Sequence, residues 1–220
     1  MTGTRKRPRS ADRREQILNE TLGLIMHHGL SGATMTRIAN KVGITEPALY
    51  RHFKNRKGIM LAALDTAFKR LAESISFQEA DAAAYLRRVG ITVHEEIAGN
   101  PEISRMLFEF ICAPPSEELR EPVVKYLLMF IKLIEYHLEE GVRQGTFRED
   151  IDLQLTAWES FSLGFTLSFV NLMGLQEMLP KEKALHAVEN IIDRLSTQKT
   201  RARVHNKPRH TVKPRRAPLR

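Results

Sequence analysis

The chain has 220 residues, 42% of them apolar, and its 34 lysines and arginines outnumber 26 acidic side chains for a formal net charge of +8. One cysteine, Cys112, excludes a disulfide scaffold and a cysteine-based zinc site, and fits a reducing compartment. The basic start, Thr4 to Arg9, is followed by no apolar run, and the longest uncharged run, Ser160 to Gln176, is too short and polar for a bilayer helix of about 20 apolar residues. An intracellular, soluble chain with no membrane partner is expected.

Residues 1–10 read as a disordered basic arm. From Ala11 the pattern turns helical, with Ile17, Leu18, Leu22, Ile25 and Met26 recurring at spacings of three and four until Gly29 closes the helix. Thr34 is a good N-cap for a short helix from Met35 to Val42, whose apolar side is Met35, Ile38, Ala39 and Val42. Gly43 and Ile44 make a tight turn, and Thr45 caps a third helix running to about Phe53. Pro47 does not veto that helix, because first-turn N–H groups have no intrahelical acceptor.

A longer helix follows from about Arg56 to Ser76, with Leu64, Ala67, Phe68, Leu71 and Ile75 on one side. Tyr85, Leu86, Val89, Val93 and Ile97 mark the next, which stops before Pro101. Ile103, Leu107, Phe110 and Ile111 mark a short one that ends at Pro114 and Pro115. A long helix spans Glu118 to Gln144, Asp152 caps another that ends near Gly174, and Pro180 opens the last, carrying Leu185, Val188, Ile192 and Leu195. No stretch alternates with period two, so the expected fold is all-α. From Gln198 onward three prolines and nine cationic side chains cannot pack a core, and residues 198–220 read as a disordered basic tail.

The net charge conceals a division. Residues 1–58 carry +8, residues 59–195 carry −9 and residues 196–220 carry +9. An acidic body between basic ends suggests that the ends meet a polyanion. Helix, glycine turn, helix between Thr34 and Phe53 is the plan of a helix-turn-helix reader, whose second helix lies in the major groove. Thr45, Tyr50, Arg51 and His52 offer donors on that helix, while Ala48, Leu49 and Phe53 turn inward. Arg37, Lys41, Lys54, Arg56 and Lys57 surround it with charge that can neutralise phosphates.

These residues resemble a known family. Ile17-Leu18, Gly29, Thr34, Ile38-Ala39, Val42-Gly43-Ile44-Thr45 and the run Ala48 to Arg56 are similar in type, order and spacing to the DNA-binding domain of TetR/AcrR-family regulators. About 50 residues carry the resemblance, joined by Glu139 to Asp152, where such proteins link two helices of the ligand domain. The resemblance implies a homodimeric, all-α regulator, usually a repressor, with a helix-turn-helix DNA-binding domain at 11–58 and a helical ligand-binding and dimerisation domain at 59–197. A small-molecule effector in the second domain would alter the grip on a double-stranded DNA operator.

By position, the DNA-binding candidates are Thr34, Thr36, Arg37, Thr45, Glu46, Tyr50, Arg51, His52, Lys54 and Arg56. Thr45 would cap the reading helix, Tyr50 and His52 would hold the backbone, and Arg51 would face bases or backbone. Arg56 stands where the family usually has a phosphate-binding lysine. Glu46 and Pro47 depart from the family pattern; a carboxylate repels phosphate but accepts from cytosine N4.

The stripe Trp158, Phe161, Phe165 and Phe169 reads as core or dimer seam rather than ligand box. Leu163, Leu167, Val170, Leu185, Val188 and Ile192 are the interface candidates. The ligand-pocket candidates are Phe68, His94, Met106, Phe110, Tyr126, Phe130 and Trp158, a mostly uncharged set that suits an apolar or weakly polar ligand. No nucleophile-base spacing, phosphate loop or metal-ligand pattern is present, so neither an enzyme nor a cofactor is expected. The competing reading is a DNA-bound protein of the same fold whose acidic body docks a protein partner.

Overall fold

A computed structural model describes residues 10–99 and 101–197. The first helix, α1 (Ser10–Gly32), is interrupted at Gly29, which adopts φ 70° and ψ 175°. That glycine is required twice over. Its φ lies in the left-handed region, and a Cβ there would stand 2.8 Å from a carboxylate oxygen of Glu109. The expected stop at Gly29 is thus a break, after which a last turn carries the buried Leu30.

α2 (Met35–Val42) and α3 (Glu46–Tyr50) form as their caps dictate. The Thr34 hydroxyl accepts from the Arg37 amide at 3.2 Å, and the Thr45 hydroxyl accepts from Ala48 at 3.3 Å. Between them Gly43, at φ 72°, turns the chain through the left-handed region, with its N–H returning to Ala39 and Asn40 carbonyls. α3 is shorter than the sequence suggests: instead of running to Phe53 it yields at Arg51 to a turn in which the His52 and Phe53 amides both donate to the Leu49 carbonyl.

α4 (Arg56–Ser74) starts at Asn55, whose side chain accepts from the Gly58 amide at 2.9 Å. The body adds α5 (Ala82–Gly99), α6 (Pro101–Ile111), a single 3-10 turn (Pro115–Glu117), α7 (Arg120–Arg143), α8 (Leu153–Leu172) and α9 (Lys181–Leu195). The α7–α8 connection, singled out by the resemblance, is built on Gly141 and Phe147. The Phe147 ring lies where a Cβ on Gly141 would be, 2.2 Å away, and Gly145 turns the chain at φ 71°. Phe147 and Ser196 make an isolated antiparallel bridge; no β-strand occurs among the described residues.

Two apolar clusters hold the helices. One joins Ile17, Ile25, Ile38, Leu49, Ile59 and Leu64 of α1–α4 to Phe110 of α6 and Phe130 of α7. The other packs Tyr85, Leu86, Leu138, Ala157 and Ile192 from α5 and α7–α9. Among the described residues no helix is long and apolar enough to cross a membrane. Nearly all of the basic arm and the whole of the basic tail lie outside the described residues.

Candidate functional site

The α2–turn–α3 unit presents one continuous polar surface. Thr36, Arg37, Lys41, Thr45, Tyr50, Arg51 and Lys54 are all exposed, while Ile38, Ala39, Val42, Leu49 and Phe53 are buried beneath them. His52 is half-buried at the end of α3, and its carbonyl accepts from the Arg14 guanidinium at 3.0 Å. The same guanidinium lies over the Phe53 ring, 4.1 Å from its centre. Arg14 thereby fixes the exit of α3 from 38 residues upstream. No local pattern around α3 announces that role.

Glu46 opens α3, and the Thr36 hydroxyl donates to its carboxylate at 2.5 Å. This bond ties the first turn of α2 to the first turn of α3. The Arg37 side chain reaches back to the Gly32 carbonyl at 3.4 Å.

Arg56 requires a correction. The sequence reading gave it to phosphate, yet its guanidinium is turned into the molecule. Nε donates to Ala33 O at 3.2 Å, Nη2 to Leu30 O at 2.6 Å, and Nη1 to both carboxylate oxygens of Glu117. The Leu30 carbonyl lies in the last turn of α1 and the Ala33 carbonyl one residue past its end, a place where C=O groups run short of helical partners and an inward cation satisfies them. The adjacent Lys57 is likewise paired with Glu118. On the other side of the same residue, the Leu30 amide donates to Glu109 Oε2 at 2.9 Å. The Leu30 backbone is therefore held between α6 and the start of α4.

Behind this junction lies a partly open cavity of about 710 Å³. Phe68 and Leu71 of α4, Val89, Val93 and Ile97 of α5, Met106 and Leu107 of α6, Phe130 of α7, and Phe161 and Leu167 of α8 are among its walls. Polar groups are few: Asn19 and Arg70, hydrogen-bonded to each other and exposed at the rim, with Ser74, Glu96, Ser160 and Ser168 elsewhere.

Of the seven pocket candidates the structure brings three, Phe68, Met106 and Phe130, to this cavity. Phe110 is spent in the core between α1 and α6, 1% exposed. Tyr126 stacks on Phe68 with ring centres 4.7 Å apart, and its hydroxyl donates to Asp65 behind the wall. Burial and that carboxylate push the Tyr126 hydroxyl up to about 12. His94 is half-buried away from the cavity with Nδ1 unpartnered. Trp158 is 47% exposed on the outside of α8, its edge against Phe161.

Three interface candidates are also corrected. Leu167, Val188 and Ile192 are buried within the single chain and line the cavity, as does the partly buried Leu163. Helix α8 instead exposes Leu155, Trp158, Phe169, Leu172 and Met173, a face at helical spacing on the opposite side. The missed cavity residues did carry one signal. Gly90 sits mid-helix because a Cβ there would be 2.7 Å from Val188 Cγ2, and a lone glycine inside a helical pattern marks such close approach.

The head of the molecule, residues 17–63, matches the family model for bacterial regulatory proteins of the tetR family. A crystal structure described as a TetR-family transcriptional regulator from Rhodococcus sp. superposes with a TM-score of 0.72, at 25% identity, over 85% of this chain and all of that one. Residues 17–63 are thus a TetR-family DNA-binding head, and the described helices share the fold of a TetR-family transcriptional regulator. Among curated relatives, this chain is 20% identical to the fatty acid metabolism regulator protein of Bacillus subtilis, over 64% of its own length and 73% of the relative's. It is also 27% identical to the nucleoid occlusion factor SlmA of Haemophilus ducreyi, over 59% and 69% respectively.

Proposed function

We propose that this regulator is a repressor that binds a palindromic operator as a homodimer and leaves it when a small apolar ligand enters the body. The cavity carries this reading: 710 Å³ lies within the range of small-molecule sites, and its lining is overwhelmingly apolar. Its α6 wall, Met106 and Leu107, is less than one turn from Glu109, which grips the Leu30 amide of the head. A ligand that fits only one arrangement of α6 shifts the population of the other, and thereby the placement of α2 and α3. A solid core would have favoured a protein effector instead.

On this reading Thr34 and Thr45 act as caps, and Tyr50, Arg51, His52 and Lys54 meet the duplex. Arg37 and Lys41 add backbone charge, while Arg56 serves the junction rather than phosphate. The exposed apolar side chains Leu155 and Trp158 near one end of α8, and Phe169, Leu172 and Met173 at the other, support pairing of two copies, since uncovered apolar patches mark interaction sites.

A thermal-shift screen with medium-chain alcohols, fatty acids, polycyclic hydrocarbons and drugs tests the cavity. A compound present at 100 times its dissociation constant stabilises the protein by about 2.7 kcal/mol, a rise of roughly 5–10 °C. Ser168→Phe, which fills the cavity from α8, should abolish that rise. An equal rise in the variant would place the compound elsewhere.

A further inference from the structure

Between Thr34 and Gly58 the chain carries six lysines and arginines and a single carboxylate, Glu46. The acid stands at the first turn of α3, amid side chains suited to phosphate. Nothing cationic pairs with it among the described residues; its one side-chain partner is the Thr36 hydroxyl, at 2.5 Å. Two neutral explanations fall short. A five-residue helix offers little dipole for a carboxylate to complement. A hydroxyl occupies one of about four lone-pair sites, so most of the acid's accepting capacity remains unused.

A carboxylate brought to a duplex is repelled unless a donor meets it. In the major groove guanine and thymine present only acceptors at O6, N7 and O4; adenine's N6 amino group stands beside the N7 acceptor, which repels a carboxylate, whereas cytosine presents its N4 amino group with no acceptor beside it. We infer that Glu46 reads a cytosine amino group in each half-site, with Thr36 as the positioning residue that sets the carboxylate's angle. The inference rests on the proposal that α3 enters the major groove, and it names the base that this surface prefers. The cost of one negative charge near phosphates then becomes discrimination, because a guanine at that position leaves the carboxylate facing acceptors.

Selection from a randomised duplex library with the full-length protein tests it, run for wild type, Glu46→Gln, Thr36→Val and Thr36→Ser. Wild type should enrich a two-fold motif with cytosine at one position per half-site, preferred over guanine by about tenfold or more. Glu46→Gln should lose that preference at that position alone and move toward adenine, whose N6 and N7 suit an amide. Thr36→Val should weaken the preference, and Thr36→Ser, which keeps the hydroxyl, should retain it. A motif unchanged by Glu46→Gln overturns the assignment while leaving the reading helix in place. A wild-type protein that enriches no motif overturns the sequence-specific reading on which the assignment rests. Circular dichroism of each variant separates either result from loss of fold.

Discussion

The head and the body of this regulator use similar apolar content to opposite ends. Beneath α2 and α3 the apolar side chains close completely, Ile17, Ile25, Ile38, Leu49, Ile59 and Leu64 being fully buried, and the candidate DNA-contacting groups lie outside them. In α4–α9 the apolar side chains stop short of closing and leave about 710 Å³ between them. A reader of DNA needs a rigid platform with donors on its surface, whereas a sensor needs space inside. The functional part of the head is thus what its core pushes outward, and the functional part of the body is what its core omits. The Leu30 backbone, gripped by Glu109 and by the Arg56–Glu117 pair, lies where the two regimes meet.

The harshest way to break the comparison is to overfill the tight part of the body. Gly141→Val would place atoms on the Phe147 ring and Ala82, and should cost about 3 kcal/mol or more of stability in urea unfolding. Equal stability would mean the α7–α8 junction is looser than the structure indicates. Arg56→Ala comes next. It should cost about 2 kcal/mol by stranding Glu117 and the Leu30 and Ala33 carbonyls, while leaving the salt dependence of DNA binding unchanged. A salt slope that falls by about one unit would return Arg56 to the phosphates.

A smaller effect sharpens the surface of the head. Tyr50→Phe should weaken operator binding by about tenfold in fluorescence anisotropy without altering the melting temperature, since the hydroxyl is exposed and serves no internal bond. Matching affinities would remove Tyr50 from the interface. The smallest effect belongs to the body and depends on pH. Burial against the Tyr85 ring holds His137 below its ordinary 6.5, so the folded state prefers the neutral imidazole. The unfolded chain therefore binds the proton first, and stability is full above about pH 6.5 and declines as pH falls through the lowered value. His137→Gln should flatten the melting temperature between pH 7.5 and 5.5; an unchanged profile would shift the cause to another group.

The head was legible in the sequence because its determinants are local. Thr34 caps the adjoining helix through an amide three residues away, Gly43 has the one backbone that turn accepts, and Thr45 caps the next helix. The body was legible as helices but not as a cavity. Whether Leu167 faces a partner or a void depends on where α5, α7 and α9 come to rest, and the period of α8 is apolar on both sides. Trp158 illustrates the same limit, for a large aromatic in an apolar stripe reads identically whether it lines a pocket or stands outside. Arg56 was misread for a related reason: its partner Glu117 lies 61 residues away, and nothing near either residue announces the other.

On the proposed function, filling the body loosens the head. Operator affinity measured by fluorescence anisotropy, with and without a saturating apolar compound taken from the thermal-shift screen, tests it most directly. The compound should raise the melting temperature and lower operator affinity at least fivefold, the lower end of ordinary coupling. A compound that raises the melting temperature through the cavity and leaves operator affinity unchanged would contradict it.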